Sequence, residues 1–295
     1  ERYYIFNPKA GFRIKNVEKL GVIKMAADLH IHTTSSDGGC TPEEIVRMAK
    51  NIKLEAVAIT DHDTLEGIGQ AMEAGRTIGI EVIPGIELGS YSQGEEIHIL
   101  GYLVELHNRS LLAKLEYLRE TRVYRMERMV EKLQELGFPV SMKMVADISG
   151  SGSVGRPHLA AALVGIGAVE TVFEAFERYI GAGRPAYVPR YKMEPAEAVN
   201  LIKTAGGAPV LAHPGLNNSE HILGDLIKAG LAGIEADHPS HSAEQSNYFK
   251  HLARQKGLIA TGGSDYHGPR HKEGSRFGIV TVSCKVVEEL KKRVG

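Results

Sequence analysis

MAADLHIHTTSSDGG, residues 25–39, is a short apolar run that ends in two histidines one residue apart, with an aspartate five positions further on. Side chains alternate across a strand, so His30 and His32 would face the same side and could act as paired arms on one ion. By itself the segment is equally a strand followed by a polar turn, and what surrounds it has to decide. TPEEIVRMAKNIK (41–53) opens a helix: Thr41 is an N-cap, Pro42 stands at the first helical position, and Glu44 completes a capping box. Ile45, Met48, Ala49 and Ile52 share one face of it. EAVAITDHD (55–63) is a second strand ending in charge, LEGIGQAMEAGRTIG (65–79) a helix despite its glycines. IEVIPGIELG (80–89) and EEIHILGYLV (95–104) are two further strands.

The rhythm changes between about Asn108 and Arg184. LLAKLEYLRETRVYRMERMVEKLQELG (111–137) is a long charged amphipathic helix, with Leu111, Leu115, Leu118, Arg122, Arg125 and Met129 near one stripe. Shorter helices follow in RPHLAAALVGIG (156–167) and VETVFEAFERYIG (169–181), so residues 108–184 read as an all-helical insertion. After RPAYVPRY (184–191), helices at 194–206, 219–230 and 242–257 alternate with strands in APVLAHPG (208–215), AGIEADHPSH (232–241) and LIATGGSDYHG (258–268). A strand in FGIVTVS (277–283) and a helix over 285–294 close the chain. Strand–helix alternation of this kind makes the fold class α/β, a mainly parallel sheet with helices outside it, open or closed into a barrel. Residues 1–25 have no clear period and read as an extension packed outside or partly disordered.

The composition is that of a globular chain: 43% hydrophobic, 24% charged, and a net charge of −1 that offers no bulk attraction to nucleic acid. Cys40 and Cys284 form no CxxC pattern, which speaks against a disulfide framework or a thiolate zinc site and fits a reducing cytoplasm. No apolar run reaches membrane-spanning length, and no signal segment is evident. Nothing points to an obligatory protein partner. Thirteen histidines are the feature that needs explaining.

In α/β folds the C-terminal strand ends share one face, and that face carries the site. The strand ends here supply His30, His32 and Asp37; Asp61, His62 and Asp63; Glu87; His98; His213; Glu235, Asp237, His238 and His241; and Asp265 and His267. A single strand-end histidine is ordinarily a hydrogen-bonded surface group. Many imidazoles and carboxylates in one cleft would compete for protons and repel one another, a cost that divalent cations remove. His plus carboxylate without thiolate suits Zn, Mn or Fe. His107, His221, His251 and His271 fall in expected helices or loops and read as ordinary surface residues.

Read together, DLHIHTTSSDG, AITDHDT, PGIEL, IHILGY, VLAHPG and GGSDYHG resemble the polymerase-and-histidinol-phosphatase (PHP) metal-dependent phosphoesterases, in order and spacing, from about residue 26 to the C-terminus. The resemblance implies a distorted seven-stranded β/α (TIM-like) barrel made of residues 26–107 and 185–295, carrying a trinuclear site. It implies three divalent metal ions: His30, His32, Glu87 and Asp265 on the first; Glu87, His98 and His213 on the second; Asp37, His62 and His267 on the third. Asp61 and Asp63 are then expected to orient imidazoles, with His238 and His241 left open between supporting the site, touching substrate and plain loop.

Within the family, TPEEIVRMAK, TDHDT, the insertion, GRPHLA and GRPAYVPR are most similar to the branch acting on nucleoside 3′,5′-bisphosphates, which can also trim the 5′ ends of short RNA. That branch implies removal of the 3′-phosphate of adenosine 3′,5′-bisphosphate to leave AMP, with a hydroxide between two metals attacking phosphorus. Glu87, Asp265 and His267 become the catalytic candidates, the last two as possible proton carriers. Arg156, His158 and Arg184 become candidates for the second phosphate, because guanidinium forks match phosphate oxygens in pairs. Arg122 and Arg125 read as solvated helix positions, and Arg190 is unassigned. A histidinol-phosphate phosphatase is the neighbouring alternative. An amidohydrolase is disfavoured because no lysine ends a core strand. A non-catalytic metal-binding module is disfavoured because none of the nine ligand positions is lost.

Overall fold

The computed structural model describes residues 25–149, 154–217, 219–269 and 276–294. The extension expected over 1–25 therefore lies outside the described residues, apart from Met25. The first strand, β1 (Ala26–Asp28), is followed by α1 (Pro42–Asn51), and the predicted capping box is present: Thr41 accepts from the Glu44 amide, and Glu44 accepts from the Thr41 amide. Then come β2 (Ala56–Ile59), α2 (Ile68–Ile78), β3 (Glu81–Ser92) and β4 (Glu95–Tyr102). The helical segment holds α3 (Arg109–Glu135), α4 (Met142–Ser149), α5 (Arg156–Gly165) and α6 (Val172–Ala175). The alternation resumes with α7 (Pro195–Thr204), β5 (Ala208–Leu211), α8 (Leu223–Ala229), β6 (Gly233–Asp237), α9 (Ala243–Lys256) and β7 (Ile259–Gly262). A two-residue β8 (Val282–Ser283) and α10 (Cys284–Val294) end it.

One sheet runs in the order β7-β6-β5-β4-β3-β2-β1-β8. Beyond the ends of β1 and β7 the chain meets again through a parallel bridge between Ile31 and Tyr266, where the His32 amide donates to the Tyr266 carbonyl at 2.9 Å. The sheet is thereby nearly closed into a barrel. Close approach at this seam requires Gly263, since a Cβ there would stand 2.3 Å from the His30 nitrogen.

The sheet is more mixed than the sequence pattern implied. β1–β2, β2–β3, β5–β6 and β6–β7 are parallel, but β4 is antiparallel to both β3 and β5. The cause is local. Gln93 and Gly94 both have positive φ (51° and 91°), the signature of a two-residue hairpin turn, so β4 folds straight back on β3. Consequently His98 reaches the site from the N-terminal half of its strand. The last expected strand shrinks to β8, antiparallel to β1, because residues 278–280 are taken up in a turn whose Gly278 amide donates to the buried Asp28 carboxylate. A helix at 142–149 was not foreseen, and the helix expected over 169–181 is α6 followed by a wider π turn, Phe176–Ile180.

Cores are layered. Ala27, Leu29, Leu100, Tyr102 and Val210 fill the barrel on the α10 side, while α7, α8 and α9 pack on β3 to β6 through Ile86, Ile99, Val199, Ile202, Leu226 and Phe249. Helix α3 serves two cores. Its first half (Leu111, Leu115, Leu118) packs on the barrel, and its second (Met126, Met129, Val130, Leu133) packs with α4 to α6. Arg122 and Arg125 lie where one core hands over to the other.

Candidate metal centre

The nine candidate ligands come together in one cluster whose centre is Glu87, almost fully buried on β3. Its Oε2 lies 3.3 Å from His30 Nε2, 3.2 Å from His32 Nε2 and 3.1 Å from His62 Nδ1. Its Oε1 lies 2.8 Å from His98 Nδ1 and 3.1 Å from His213 Nε2. One carboxylate thus faces two sets of imidazoles, the geometry a bridging ligand needs. Asp265 Oδ1 is 3.3 Å from His30 Nε2 and 3.1 Å from His32 Nε2. Asp37 stands at the outer rim, 3.5 Å from His267 Nε2, 3.7 Å from His32 Nδ1 and 3.9 Å from His62 Nε2.

Three groups of donor atoms lie within 4.8 Å of one another: His30, His32, Glu87 and Asp265; His32, Asp37, His62 and His267; and His62, Glu87 and His98. The first and second contain the sets expected for the first and third ions. The remaining set differs: His62 joins Glu87 and His98, whereas His213 touches Glu87 but stands outside that tight group. The donor chemistry fits divalent cations. His30 Nε2 and both ring nitrogens of His32 are buried without hydrogen-bond partners, a costly arrangement unless lone pairs are used otherwise.

The electrostatics agree. Burial pushes the Glu87 carboxyl up, but the charges of His98, His62 and His30 outweigh it and hold the group well below its usual range. Burial pushes Asp265 up, but the His30 charge, the contact with His238 and the neighbouring His32 imidazole outweigh it and hold the group low. Burial pushes His32 and His98 down, yet carboxylates override it and raise each to about 10, His32 through Asp265 and Glu87, His98 through Glu87 and Glu96. For His62 burial prevails, and the ring is lowered to about 4.

The aspartates beside His62 do other work than orienting imidazoles. Asp61 accepts from the Thr33 amide and hydroxyl, both at 2.7 Å, and from the Ser36 hydroxyl at 2.6 Å, so it pins the turn that carries Asp37. Asp63, at a left-handed φ of 52°, pairs with Arg122 and, at 3.0 Å, with Arg190. Arg190 also pairs with Glu96, which contacts His98 Nε2 at 3.5 Å. Arg122 is therefore no solvated helix position, and neither is Arg125, whose Nε donates to the Val188 carbonyl at 2.7 Å.

His238 and His241 are resolved by their partners. His238 Nδ1 accepts from the Ser240 amide, leaving Nε2 to donate to Asp265 Oδ2 at 3.3 Å. His241 ties two loops, donating from Nδ1 to the Ala236 carbonyl and accepting at Nε2 from the Gly215 amide. Glu235, visible in the sequence as a charge inside an apolar strand but given no role, is completely buried against His30. His271 lies outside the described residues.

Of the three substrate candidates, Arg156 stacks on Phe176 (5.3 Å) and Tyr187 (6.0 Å) beside Arg125, which is itself 5.9 Å from the Tyr187 ring. Among the described residues neither guanidinium has a carboxylate within ion-pair distance. His158 accepts from the Gly155 amide, and burial lowers it against the pull of the Asp37 charge. Arg184 is exposed and pairs with Glu177 on the insertion surface, so its charge is already answered there. A cleft of about 780 Å³ opens at His62 and runs along α3, lined by Leu112, Leu115, Val123, Tyr124 and several carboxylates. No helix among the described residues is long and apolar enough to cross a membrane.

The PHP domain family matches residues 28–121. A phosphoribosyl 1,2-cyclic phosphate 1,2-diphosphodiesterase of Eggerthella lenta is 35% identical, over 83% of this chain and 95% of its own. The 5′-3′ exoribonuclease Rnm of Escherichia coli K12 is 31% identical over 82% and 85%, respectively. A 3′,5′-nucleoside bisphosphate phosphatase of Chromobacterium violaceum is 33% identical over 84% and 89%. Among solved structures, one assigned as a metal-dependent phosphoesterase from Bifidobacterium adolescentis superposes with a TM-score of 0.77 at 33% identity, over 90% of this chain and 96% of that one. The three relatives carry names for three different phosphate-ester hydrolyses at nearly equal identity, so likeness alone does not choose a substrate.

Proposed function

We propose, given that this chain belongs to the PHP family of metal-dependent phosphoesterases, that it removes the 3′-phosphate from nucleoside 3′,5′-bisphosphates, turning adenosine 3′,5′-bisphosphate into AMP. The observation that carries the substrate is the Arg125–Arg156 pair: two guanidiniums lying against Tyr187 and Phe176, Arg156 being two residues along the chain from the His158 ring that feels Asp37, with no carboxylate partner among the described residues. Burial and the Arg156 charge lower Arg125, so the pair is an unbalanced positive site that a second phosphate would relieve.

In this reading His30, His32, Glu87 and Asp265 would hold one ion, and Glu87, His98 and His213 a second. Asp37, His62 and His267 would hold a third. Bound Mn, Fe or Zn would supply an acidic water and Lewis-acid contacts to the phosphoryl oxygens. The chain's own groups then align and exchange protons. His267 donates from Nδ1 to the Asp265 carbonyl at 2.9 Å, which fixes its ring and leaves Nε2 toward Asp37 at the accessible rim. Asp265 is partly exposed, which lets its carboxylate pass a proton between site and solvent. Arg156, with His158 beside it, takes the distal phosphate; Arg184 is left with a role at the insertion surface. The cleft along α3 has room for the organic part of the substrate. Its carboxylates, Asp63, Glu66, Glu116, Glu120 and Glu127, outnumber its two arginines and favour a mononucleotide over a long polyanion.

The test is hydrolysis by metal-loaded protein, read as phosphate released from adenosine 3′,5′-bisphosphate, histidinol phosphate and a phosphoribosyl 1,2-cyclic phosphate, and as mononucleotides released from 5′-phosphorylated short RNAs. Release from another ester and none from bisphosphates would reject the substrate. For Arg156→Ala, a loss of about 10- to 100-fold in kcat/KM for the bisphosphate, with little change for a simple monoester, is expected for one charged hydrogen-bonding group. Equal losses on both would remove Arg156 from substrate selection.

A further inference from the structure

We infer that Glu235 is a positioning residue that sets which nitrogen of His30 and which backbone shape of His213 the centre receives. The inference rests on the reading that this cluster holds metal. Glu235 lies on β6, between the strands that lead to His213 and Asp265, and is fully buried. Both carboxylate oxygens are engaged. Oε1 is 2.9 Å from His30 Nδ1, and Oε2 accepts the His213 backbone amide at 2.8 Å.

An ionised carboxylate only accepts. His30 Nδ1 must therefore carry a proton, which leaves Nε2 as the nitrogen with a lone pair to give. Nε2 is the atom aimed at the cluster: it is 3.3 Å from both Glu87 Oε2 and Asp265 Oδ1, buried, and without a hydrogen-bond partner. The second contact acts on the backbone. His213 has φ 26° and ψ 57°, in the left-handed region that a non-glycine residue holds only when its surroundings insist. The amide accepted by Glu235 belongs to this residue, and the His213 ring it directs reaches Glu87 Oε1 at 3.1 Å. One side chain on β6 thus orients an imidazole from the β1 segment and another from the β5 segment.

Glu235→Gln separates this role from simple packing because the shape is kept. Gln offers one accepting oxygen and one donating NH2. If the oxygen serves the His213 amide, the NH2 meets His30 Nδ1, which must give up its proton to Nε2 and so close the ligand. If the oxygen serves His30, the NH2 faces the His213 N–H, donor against donor. Either the Nε2 lone pair of His30 or the contact to the His213 amide is lost.

The experiment measures metal equivalents retained during dialysis against graded chelator, with zinc as the probe, for wild type and Glu235→Gln, and checks folding by circular dichroism. The expected result is a folded variant whose affinity for at least one equivalent drops by about 10- to 100-fold, the range seen when a residue supporting a ligand is removed. Wild-type retention by the folded variant would overturn the role of Glu235 while leaving the metal reading intact; a wild-type protein that binds no zinc would overturn both. If the variant does not fold, nitrogen-15 NMR of zinc-loaded, histidine-labelled wild type decides. A proton on His30 Nδ1 supports the inference, and a proton on Nε2 overturns it.

Discussion

Replacing Asp63 with Asn probes how the helical insertion is fastened to the barrel. Asp63 is 5% exposed and receives Arg122 from α3 and Arg190 from the returning chain, which are 19% and 31% exposed. It also accepts from the Gly89 amide at 3.3 Å. At an effective dielectric near 20, a pair at 3.0 Å has a gross attraction of about 5 kcal/mol, most of it offset by desolvation. Net values are nearer those of charge-assisted hydrogen bonds, about 1.5–3 kcal/mol each. The Arg190 pair, nearly a third exposed, belongs at or below the lower end because solvent screens it. Asn tolerates the left-handed backbone at this position, so the substitution removes charge with little added strain. The expected loss is about 2–4 kcal/mol, read as a lowered urea midpoint at unchanged m value. KM for substrate should rise as well, because Arg125 rides on the helix that Asp63 anchors and Arg156 on α5, which shares a core with that helix. Arg122→Met should show about half the stability loss, and the double variant should lose less than the sum. If Asp63→Asn unfolds within 0.5 kcal/mol of wild type and keeps its KM, the fastening argument fails.

Glu87→Gln should abolish tight binding of at least two metal equivalents and nearly all phosphatase activity, since both oxygens face imidazoles; full activity in that variant would defeat a bridging role. Metal uptake should release protons from His30, His32 and His98, all raised and the last two to about 10, so affinity should climb about tenfold per pH unit between 7 and 9 for the ion that His98 helps hold and more steeply for the ion shared by His30 and His32; calorimetry in buffers of different ionisation enthalpy would detect the protons, and a flat profile would contradict it. In the metal-free protein the His32 and His98 rings stabilise the fold fully below about pH 6.5 and cease to do so as pH rises through 10. His62, lowered to about 4, has the opposite sense, and its contribution is lost as pH falls from 6.5 toward 4. Glu120→Lys in the cleft should improve hydrolysis of 5′-phosphorylated RNA relative to the bisphosphate, and an unchanged ratio would exclude the cleft from substrate selection.

The residues that could be read from sequence are those whose meaning lies in short spacing and strand periodicity. His30 and His32 share a face because strands alternate, and the capping box of α1 is contained in four residues. What escaped depends on distance along the chain. Asp63 finds its partners 59 and 127 residues away, at Arg122 and Arg190, and no local pattern marks either pairing. Glu235 was legible as an oddity, a carboxylate in an apolar strand, but its partner His30 is 205 residues earlier. The direction of β4 was encoded in Gln93-Gly94, a hairpin signal overshadowed by the surrounding strand–helix rhythm.

The reversal of β4 has a consequence for the length of α3. Because β4 runs against its neighbours, it delivers the chain to the end of the barrel away from the histidines; Tyr102 pairs with Ala208 at the start of β5, and Asn108 bonds the Thr204 carbonyl at the end of α7. Helix α3 must climb the whole wall to return. It passes Glu197 in the first turn of α7 at Lys114 and arrives at Asp63 by Arg122, about 20 Å of ascent at 1.5 Å per residue. Only the remaining turns are available to build a roof. The helix is therefore a ruler whose zero mark is set by a two-residue turn in a different hairpin. Two turns deleted between Arg109 and Arg122 would lower the roof and its arginines by about 10 Å, while the floor of the site, made from other strands, would stay where it is.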